Sequence, residues 1–194
     1  MTDCLLTGVG GQGIVFASKL ISQTAMRQGR KVRTAETIGM AQRGGSVVSH
    51  VRIGEDDYSP LIAKKHADLI IGFEPSETVR VIDYLKSDGA VVVNNQGVQS
   101  ISAALTGDEY EVGTALDYLS SLPIRLVVCD GWRLCREVQN SKVLNVALVG
   151  AAAAAGALDM SIAELSETIR AIAPSRFIDL NIKALEIGAK GVKE

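Results

Sequence analysis

The chain has 194 residues, 20 basic and 22 acidic side chains, a formal net charge of −2 at pH 7 and 47% hydrophobic residues. This balance excludes the strong positive charge typical of proteins that bind nucleic acid or anionic membranes, so we expect neither partner. The length fits one α/β domain spanning residues 1–194. The longest apolar run, residues 143–158, is rich in alanine and interrupted by Asn145. Because a membrane span needs roughly 20 strongly apolar residues, this run is predicted to be a buried or interface helix.

The N-terminus lacks the pattern of a signal peptide, which predicts a cytoplasmic location. Cys4, Cys129 and Cys135 form no C-x-x-C pair. Neither a disulfide framework nor a metal or iron–sulfur site is therefore predicted in this chain.

Short apolar runs alternate with segments of helical periodicity through the first two thirds of the chain. The predicted strands are a short run at Leu5 and Leu6, then residues 31–35, 46–53, 67–73, 89–93 and 124–129. The predicted helices between them are residues 14–28, 76–86 and 112–119.

The last quarter is predicted to be helical, over residues 143–158, 161–173 and 176–187. Ser161 and Glu164 form a capping-box pattern, and Pro174 ends the second of these helices. The whole pattern predicts an α/β fold with a mostly parallel sheet, helices on both faces and a helical C-terminal quarter.

A glycine-rich loop joins the first predicted strand to the first predicted helix. Gly8, Gly10 and Gly13 match G-x-G-x-x-G, with Gly11 and Gln12 inside the motif. In this Rossmann-like context, backbone N–H groups and the helix N-terminus can hold a phosphate. The alternative is a tight turn that needs glycine only for its backbone and packing.

Glu36 lies at the end of the second predicted strand. A dinucleotide-binding enzyme places the carboxylate that binds the ribose there. Taken alone, the loop and Glu36 therefore indicate NAD(P) as a candidate ligand.

A second glycine-rich segment follows Glu36 and is unusual for a dinucleotide-binding enzyme. Its candidate ligand- or partner-binding residues are Thr37, Met40, Gln42, Arg43, Gly44 and Gly45. Arg43 is its only cation and could clamp a phosphate or carboxylate, while the glycines allow a partner's backbone to approach closely. The alternative is that Arg43 pairs with a neighbouring acid.

No catalytic residues are predicted. His50 and His66 are the only histidines, and neither lies in a Ser or Cys pattern typical of a nucleophilic triad. Asn145 lies in an otherwise apolar helix and must find a hydrogen-bond partner if it is buried. A helix N-terminus, a loop carbonyl and a subunit interface are the candidates.

Five motifs in chain order resemble the gamma-type domain of 2-oxoacid:ferredoxin oxidoreductases over nearly the whole chain. They are Gly8–Gly13, Gly39–Val47 with the sequence GMAQRGGSV, Ser59–Ile62, Ala67–Ile70 and Asn145–Gly150. Within that family, MAQRGG is most similar to the beta subunit of indolepyruvate oxidoreductase. Ile38 stands where many members of that branch have histidine, which leaves the substrate open.

The resemblance implies a larger alpha subunit that carries thiamine diphosphate and iron–sulfur clusters. That subunit would decarboxylate an aryl 2-oxoacid and pass electrons to ferredoxin with formation of an acyl-coenzyme A. This chain would hold no cofactor itself, would be inactive alone, and would cover the partner's active site. The resemblance also makes coenzyme A a candidate ligand at the interface, through residues 10–13 and 42–45.

Two other interpretations stay open. The chain could be a self-contained NAD(P)-binding dehydrogenase, or a nucleotide-sensing or scaffold module whose glycine loops serve only protein contact. The apolar helix over residues 143–158 is consistent with a homodimer of the isolated chain, and equally with a buried core helix.

Overall fold

The computed structural model describes residues 2–36, 44–54, 59–98 and 112–192. Six strands form one sheet: β1 Thr2–Val9, β2 Val32–Glu36, β3 Ser46–Ile53, β4 Ala67–Gly72, β5 Leu85–Asn94 and β6 Arg125–Cys129. The α-helices of these residues are α1 Ile14–Arg27, α2 Pro75–Arg80, α3 Val112–Ser121, α4 Gly131–Val138, α5 Leu144–Ala154, α6 Ile162–Ile172 and α7 Ile178–Lys190. Within these ranges, no helix is both long and apolar enough to cross a membrane.

The strand order across the sheet is β2-β3-β1-β4-β5-β6. β1, β4, β5 and β6 pair in parallel, whereas β3 pairs antiparallel with both β1 and β2. Five strands therefore run in one direction and β3 in the other. The predicted fold class, a mostly parallel sheet in an α/β domain, is confirmed.

Apolar side chains are buried on both faces of the sheet. Leu6 faces one core, with Leu20 of α1 and Val146 of α5, while its neighbour Leu5 faces the other core with Ile70 of β4. This alternation follows from the two-residue period of a strand. It explains why the central strands read as continuous apolar runs.

The first helices after β1 and β4 lie on opposite faces of the sheet. α1 packs beside α5 and α6, and α2 packs beside α3. The chain therefore switches faces between β1 and β4. A crevice at the carboxyl ends of the strands, where such a switch occurs, is the usual ligand-binding position in open α/β sheets.

Several predicted boundaries were wrong, and one helix was missed. The helix predicted over residues 143–158 spans only Leu144–Ala154. The helix predicted over residues 76–86 ends at Arg80, and Leu85 already belongs to β5, where it pairs with Ala67. The polar residues Lys86 and Asp88 interrupt the apolar pattern, so the sequence did not indicate where this strand begins. α4 was not predicted, although Asp130 caps its N-terminus by accepting a hydrogen bond from the Arg133 N–H at 3.1 Å.

Candidate functional site

The loop between β1 and α1 needs glycine at two positions for conformational reasons. Gly11 has φ = 106° and Gly13 has φ = 79°. Residues that carry a side chain rarely adopt this left-handed backbone conformation. Gly13 is also the N-cap of α1, so the loop leads directly into the helix N-terminus.

The side chain of Gln12 closes the loop from inside. Its Oε1 accepts a hydrogen bond from the Val9 N–H at 2.7 Å, and its Nε2 donates to the Phe73 carbonyl oxygen at 3.1 Å. A Cβ on Gly8 would lie 2.5 Å from Gln12 Oε1 and 2.8 Å from Phe73 Cβ. Gly8 is therefore required for packing around Gln12. This role fits the alternative in which the loop is a tight turn that needs glycine for packing.

The two glycine-rich segments meet. The Gly10 N–H donates to the Gly45 carbonyl oxygen at 2.8 Å, and the Gly44 N–H donates to the Gly10 carbonyl oxygen at 3.1 Å. Their backbones form one surface at the carboxyl end of β1. The other candidates of the second segment, Thr37, Met40, Gln42 and Arg43, lie outside the described residues.

Asn145 supports the same loop from α5. It is 5% exposed, its Nδ2 donates to the Gly13 carbonyl oxygen at 3.1 Å, and its Oδ1 accepts from the Val146 N–H at 2.9 Å. Both ends of the amide are thus used. Of the partners predicted for Asn145, the structure shows the loop carbonyl, at the N-terminus of α1.

A cavity of about 400 Å³ opens on the outer side of the loop. It is lined by Gly10, Gly11, Gly13, Ile14, Val15 and Val47. The amide groups in the first turn of an α-helix have no helical partners, and they carry the positive end of the helix dipole. The cavity therefore combines a mostly apolar lining with backbone groups that suit an anion.

Glu36 points to α1. The Ser18 hydroxyl donates to Glu36 Oε1 at 2.8 Å. Because β3 lies between β2 and β1, Glu36 is two strand spacings from the glycine loop, about 10 Å across the sheet. The position of Glu36 relative to the loop therefore differs from that in a sheet where β2 pairs directly with β1.

A buried carboxyl group that the sequence did not single out lies at the end of β4. Glu74 is 1% exposed, and its Oε2 accepts from the Glu77 N–H at 2.8 Å. Burial, reinforced by the charge of Glu77, raises the pKa of Glu74 to about 7. Asn94, at the end of β5, donates through Nδ2 to the Phe73 carbonyl oxygen at 3.2 Å.

The described residues do not fit an iron–sulfur cluster or another metal site. Among them, no group of three His, Cys, Asp or Glu side chains could hold a metal ion. Burial raises the pKa of the Cys4 thiol, and it raises the pKa of Cys129 to about 12. Since the thiolate is the form that ligates metal, these buried cysteines act as small apolar groups.

The fold and the joined glycine segments define an α/β domain of the Rossmann-like class. The family described as pyruvate ferredoxin/flavodoxin oxidoreductase matches residues 3–191, and this chain belongs to that family. The resemblance found in the sequence motifs is therefore confirmed.

Individual relatives agree with this assignment. Indolepyruvate oxidoreductase subunit IorB of Thermococcus kodakarensis is 37% identical, over 99% of this chain and 96% of the relative. The pyruvate/ketoisovalerate oxidoreductases common subunit gamma of Pyrococcus abyssi is 28% identical, over 81% of this chain and 80% of the relative. The crystal structure of a pyruvate oxidoreductase subunit from Thermotoga maritima has the same fold, with a TM-score of 0.73 at 20% identity, over 99% of this chain and 97% of that one.

Proposed function

We propose that this chain is the thiamine-free subunit of a 2-oxoacid:ferredoxin oxidoreductase that acts on an aryl 2-oxoacid such as indolepyruvate. Family membership supports the general reaction. The higher identity to an indolepyruvate oxidoreductase subunit than to a pyruvate/ketoisovalerate subunit supports the aryl substrate. The complex would convert the 2-oxoacid and coenzyme A to an acyl-coenzyme A and carbon dioxide, with the electrons passing to ferredoxin.

The partner would be a larger subunit that carries thiamine diphosphate and iron–sulfur clusters. Thiamine diphosphate supplies the carbanion chemistry of decarboxylation when bound. This chain would cover the partner's active site with the surface formed by Gly10, Gly44 and Gly45. The observation that carries this role is the pair of backbone hydrogen bonds that hold the two glycine segments together.

The cavity beside the loop is our candidate contact for coenzyme A. Its helix N-terminus suits a phosphate, and its apolar walls suit a pantetheine chain. Filling the cavity with Val15→Trp should raise the KM for coenzyme A about tenfold and leave the KM for the 2-oxoacid within about twofold. The matched control is Leu61→Trp, since Leu61 is exposed outside the cavity. Equal changes in both KM values would contradict the binding of coenzyme A in this cavity.

The function itself is tested by anaerobic purification of the tagged chain with its bound partner. We expect dye reduction that depends on both coenzyme A and indolepyruvate in the complex, and none with the isolated chain. An isolated chain that binds NAD(P)H with micromolar affinity and reduces an oxoacid would instead support the dehydrogenase. A chain that binds neither a thiamine-containing partner nor NAD(P) would support the scaffold interpretation.

A further inference from the structure

A second cavity, with a volume of about 250 Å³, lies among the ends of four helices. It is formed by the start of α1, the segment from the end of α4 into α5, and the segment from the end of α6 into the first turn of α7. Of the described residues, none lines both this second cavity and the loop cavity. The two are therefore separate sites.

The walls of the second cavity are mostly apolar, and two of them are aromatic. They are formed by Phe16, Val143, Pro174, Phe177 and Leu180. An apolar cavity of about 150 Å³ is large enough to bind benzene. The second cavity, at about 250 Å³, therefore has room for an aromatic ring that carries a short polar group.

Asn181 offers a hydrogen-bond acceptor inside this cavity. Its side chain is 8% exposed, and its Nδ2 donates to the Phe177 carbonyl oxygen at 2.7 Å. Among the described residues, no group donates to Asn181 Oδ1, and this oxygen is not fully buried. Because water reaches it poorly, the oxygen would gain a partner from a ligand that carries an O–H or N–H group.

The remaining polar groups of the second cavity suit an anion. Lys142 lines it, is exposed, and has no carboxylate partner within the described ranges. Asn140 Oδ1 accepts a hydrogen bond from the Lys142 N–H at 2.9 Å, which leaves the Asn140 Nδ2 as a donor. α5 and α7 both begin at the cavity, and neither has a side-chain hydrogen bond at its N-cap. A cation, an amide donor and the positive ends of two helix dipoles together favour a carboxylate.

The second cavity is linked to the glycine loop by two of its own lining residues. The Gly13 carbonyl oxygen accepts a hydrogen bond from Asn145 Nδ2 at 3.1 Å and another from the Phe16 N–H at 3.1 Å. Asn145 and Phe16 line the second cavity, whereas Gly13 lines the loop cavity. A ligand that displaces either side chain would therefore act on Gly13.

We propose that the second cavity binds a small aromatic carboxylate with a hydroxyl or N–H group on its ring, and that this ligand alters the glycine loop through Asn145 and Phe16. The ring would contact the apolar walls, and the carboxylate would contact Lys142 and Asn140. The hydroxyl or N–H group would donate to Asn181 Oδ1. The inference concerns this chain alone and does not rest on the proposed function.

An NMR titration of the full chain with three compounds tests the ligand class. We expect 4-hydroxyphenylacetate to bind with a dissociation constant of about 1 mM or lower. Phenylacetate should bind about fivefold more weakly, because Asn181 Oδ1 then has no partner. The alcohol 2-(4-hydroxyphenyl)ethanol should also bind about fivefold more weakly, because it lacks the carboxylate. Equal affinities for the three compounds, or no binding of 4-hydroxyphenylacetate at about 10 mM, would overturn the proposal.

The same titration locates the ligand. We expect the largest amide shift changes at residues 142–146 and 177–181, with smaller changes at residues 13–16. Changes confined to residues 10–15 and 47, with none at residues 142–146 and 177–181, would place the compound in the loop cavity and overturn the proposal.

A substitution at the mouth of the second cavity separates the carboxylate contact from the apolar one. Lys142→Gln should weaken binding of 4-hydroxyphenylacetate about fivefold and change binding of the alcohol less than twofold. The matched control is Lys183→Gln, which removes the same charge from an exposed position of α7 outside the cavity. It should change neither affinity by more than about twofold. Equal losses of 4-hydroxyphenylacetate affinity in the two variants, or none in Lys142→Gln, would contradict binding at this site.

Discussion

The carbonyl oxygen of Phe73 accepts hydrogen bonds from two side chains that are far apart in the sequence. Gln12 donates to it from the glycine loop at 3.1 Å, and Asn94 donates from the end of β5 at 3.2 Å. Three neighbouring strands, β1, β4 and β5, are thus connected where they end. This connection gives the glycine loop a fixed position relative to the sheet.

Glu74, next to Phe73, makes the stability of the protein depend on pH. The pKa of Glu74 is raised to about 7, chiefly by burial, whereas the carboxyl group ionises near pH 4.5 in the unfolded chain. A raised pKa in the folded state means that the folded protein keeps the proton longer. The contribution of Glu74 to the free energy of unfolding is therefore complete below about pH 4.5 and is lost as the pH rises through 7.

Glu74→Gln should remove this loss. Glutamine cannot ionise, but its oxygen can still accept the Glu77 N–H at the start of α2. We expect the free energy of unfolding at pH 8.5 to rise by about 2 kcal/mol relative to the wild type, with little change at pH 5. Chemical denaturation at the two pH values measures this, with Glu167→Gln as the control at an exposed position. A gain of equal size at both pH values would mean that ionisation of Glu74 is not the cause.

At the scale of elements, α5 and α7 cross with their backbones in direct contact. A Cβ on Gly188 would collide with the carbonyl oxygen of Ala147, and a Cβ on Gly150 would collide with that of Leu185. Both obstacles are backbone atoms, which cannot move aside as a side chain would. The small residues of α5 therefore serve a close helix crossing inside the chain.

Gly188→Ala should lower the free energy of unfolding by about 2 kcal/mol, because the two helices must separate. Gly113→Ala is the matched control. A Cβ at this glycine of α3 meets nothing within 4 Å, so alanine should stabilise the helix by about 0.5 kcal/mol. Urea denaturation of the two variants measures the difference. A gain in stability from both substitutions would contradict the close crossing.

Elements with a complete local signal were predicted well from the sequence. The alternating pattern of β3 gave its bounds, Ser46–Ile53, and the capping box of Ser161 and Glu164 is present at the start of α6. α4 was missed because it is short and its mean composition is polar. Its signal is the spacing of the buried Leu134 and Val138, one helical turn apart after the cap at Asp130.

At the scale of the whole molecule, strand order decided what the sequence could predict about the site. The glycine loop and the second glycine segment were both visible as motifs, and the structure joins them through Gly10 and Gly45. The insertion of an antiparallel β3 between β1 and β2 has no local signal, because long-range pairing determines it. In the sequence, Glu36 has the position of a ribose ligand; in the structure, its carboxylate accepts a hydrogen bond from the Ser18 hydroxyl.

The segment before β4 is tied to the sheet through His50. Its Nδ1 accepts a hydrogen bond from the Ile62 N–H at 3.1 Å, and its ring meets the ring of Tyr84 edge to face, with 6.0 Å between the centroids. Burial, and secondly the charge of Arg52, lowers the pKa of His50. A lowered pKa in the folded state favours the neutral ring, which alone can accept this bond at Nδ1. The stabilisation is therefore present above about pH 6.5 and is lost as the pH falls through the folded-state pKa.

As the pH rises, the titration of His50 and of Glu74 should therefore change the free energy of unfolding in opposite directions. His50→Gln keeps an acceptor for Ile62 but cannot be protonated, so this variant should lose less stability than the wild type between pH 7 and pH 5. The measurement is the free energy of unfolding against pH, with the exposed His66→Gln as control. Because Glu74 loses stability as the pH rises, the double variant His50→Gln/Glu74→Gln should have a flatter profile than either single variant. A double variant as steep as the two single variants would show that other groups control the pH dependence.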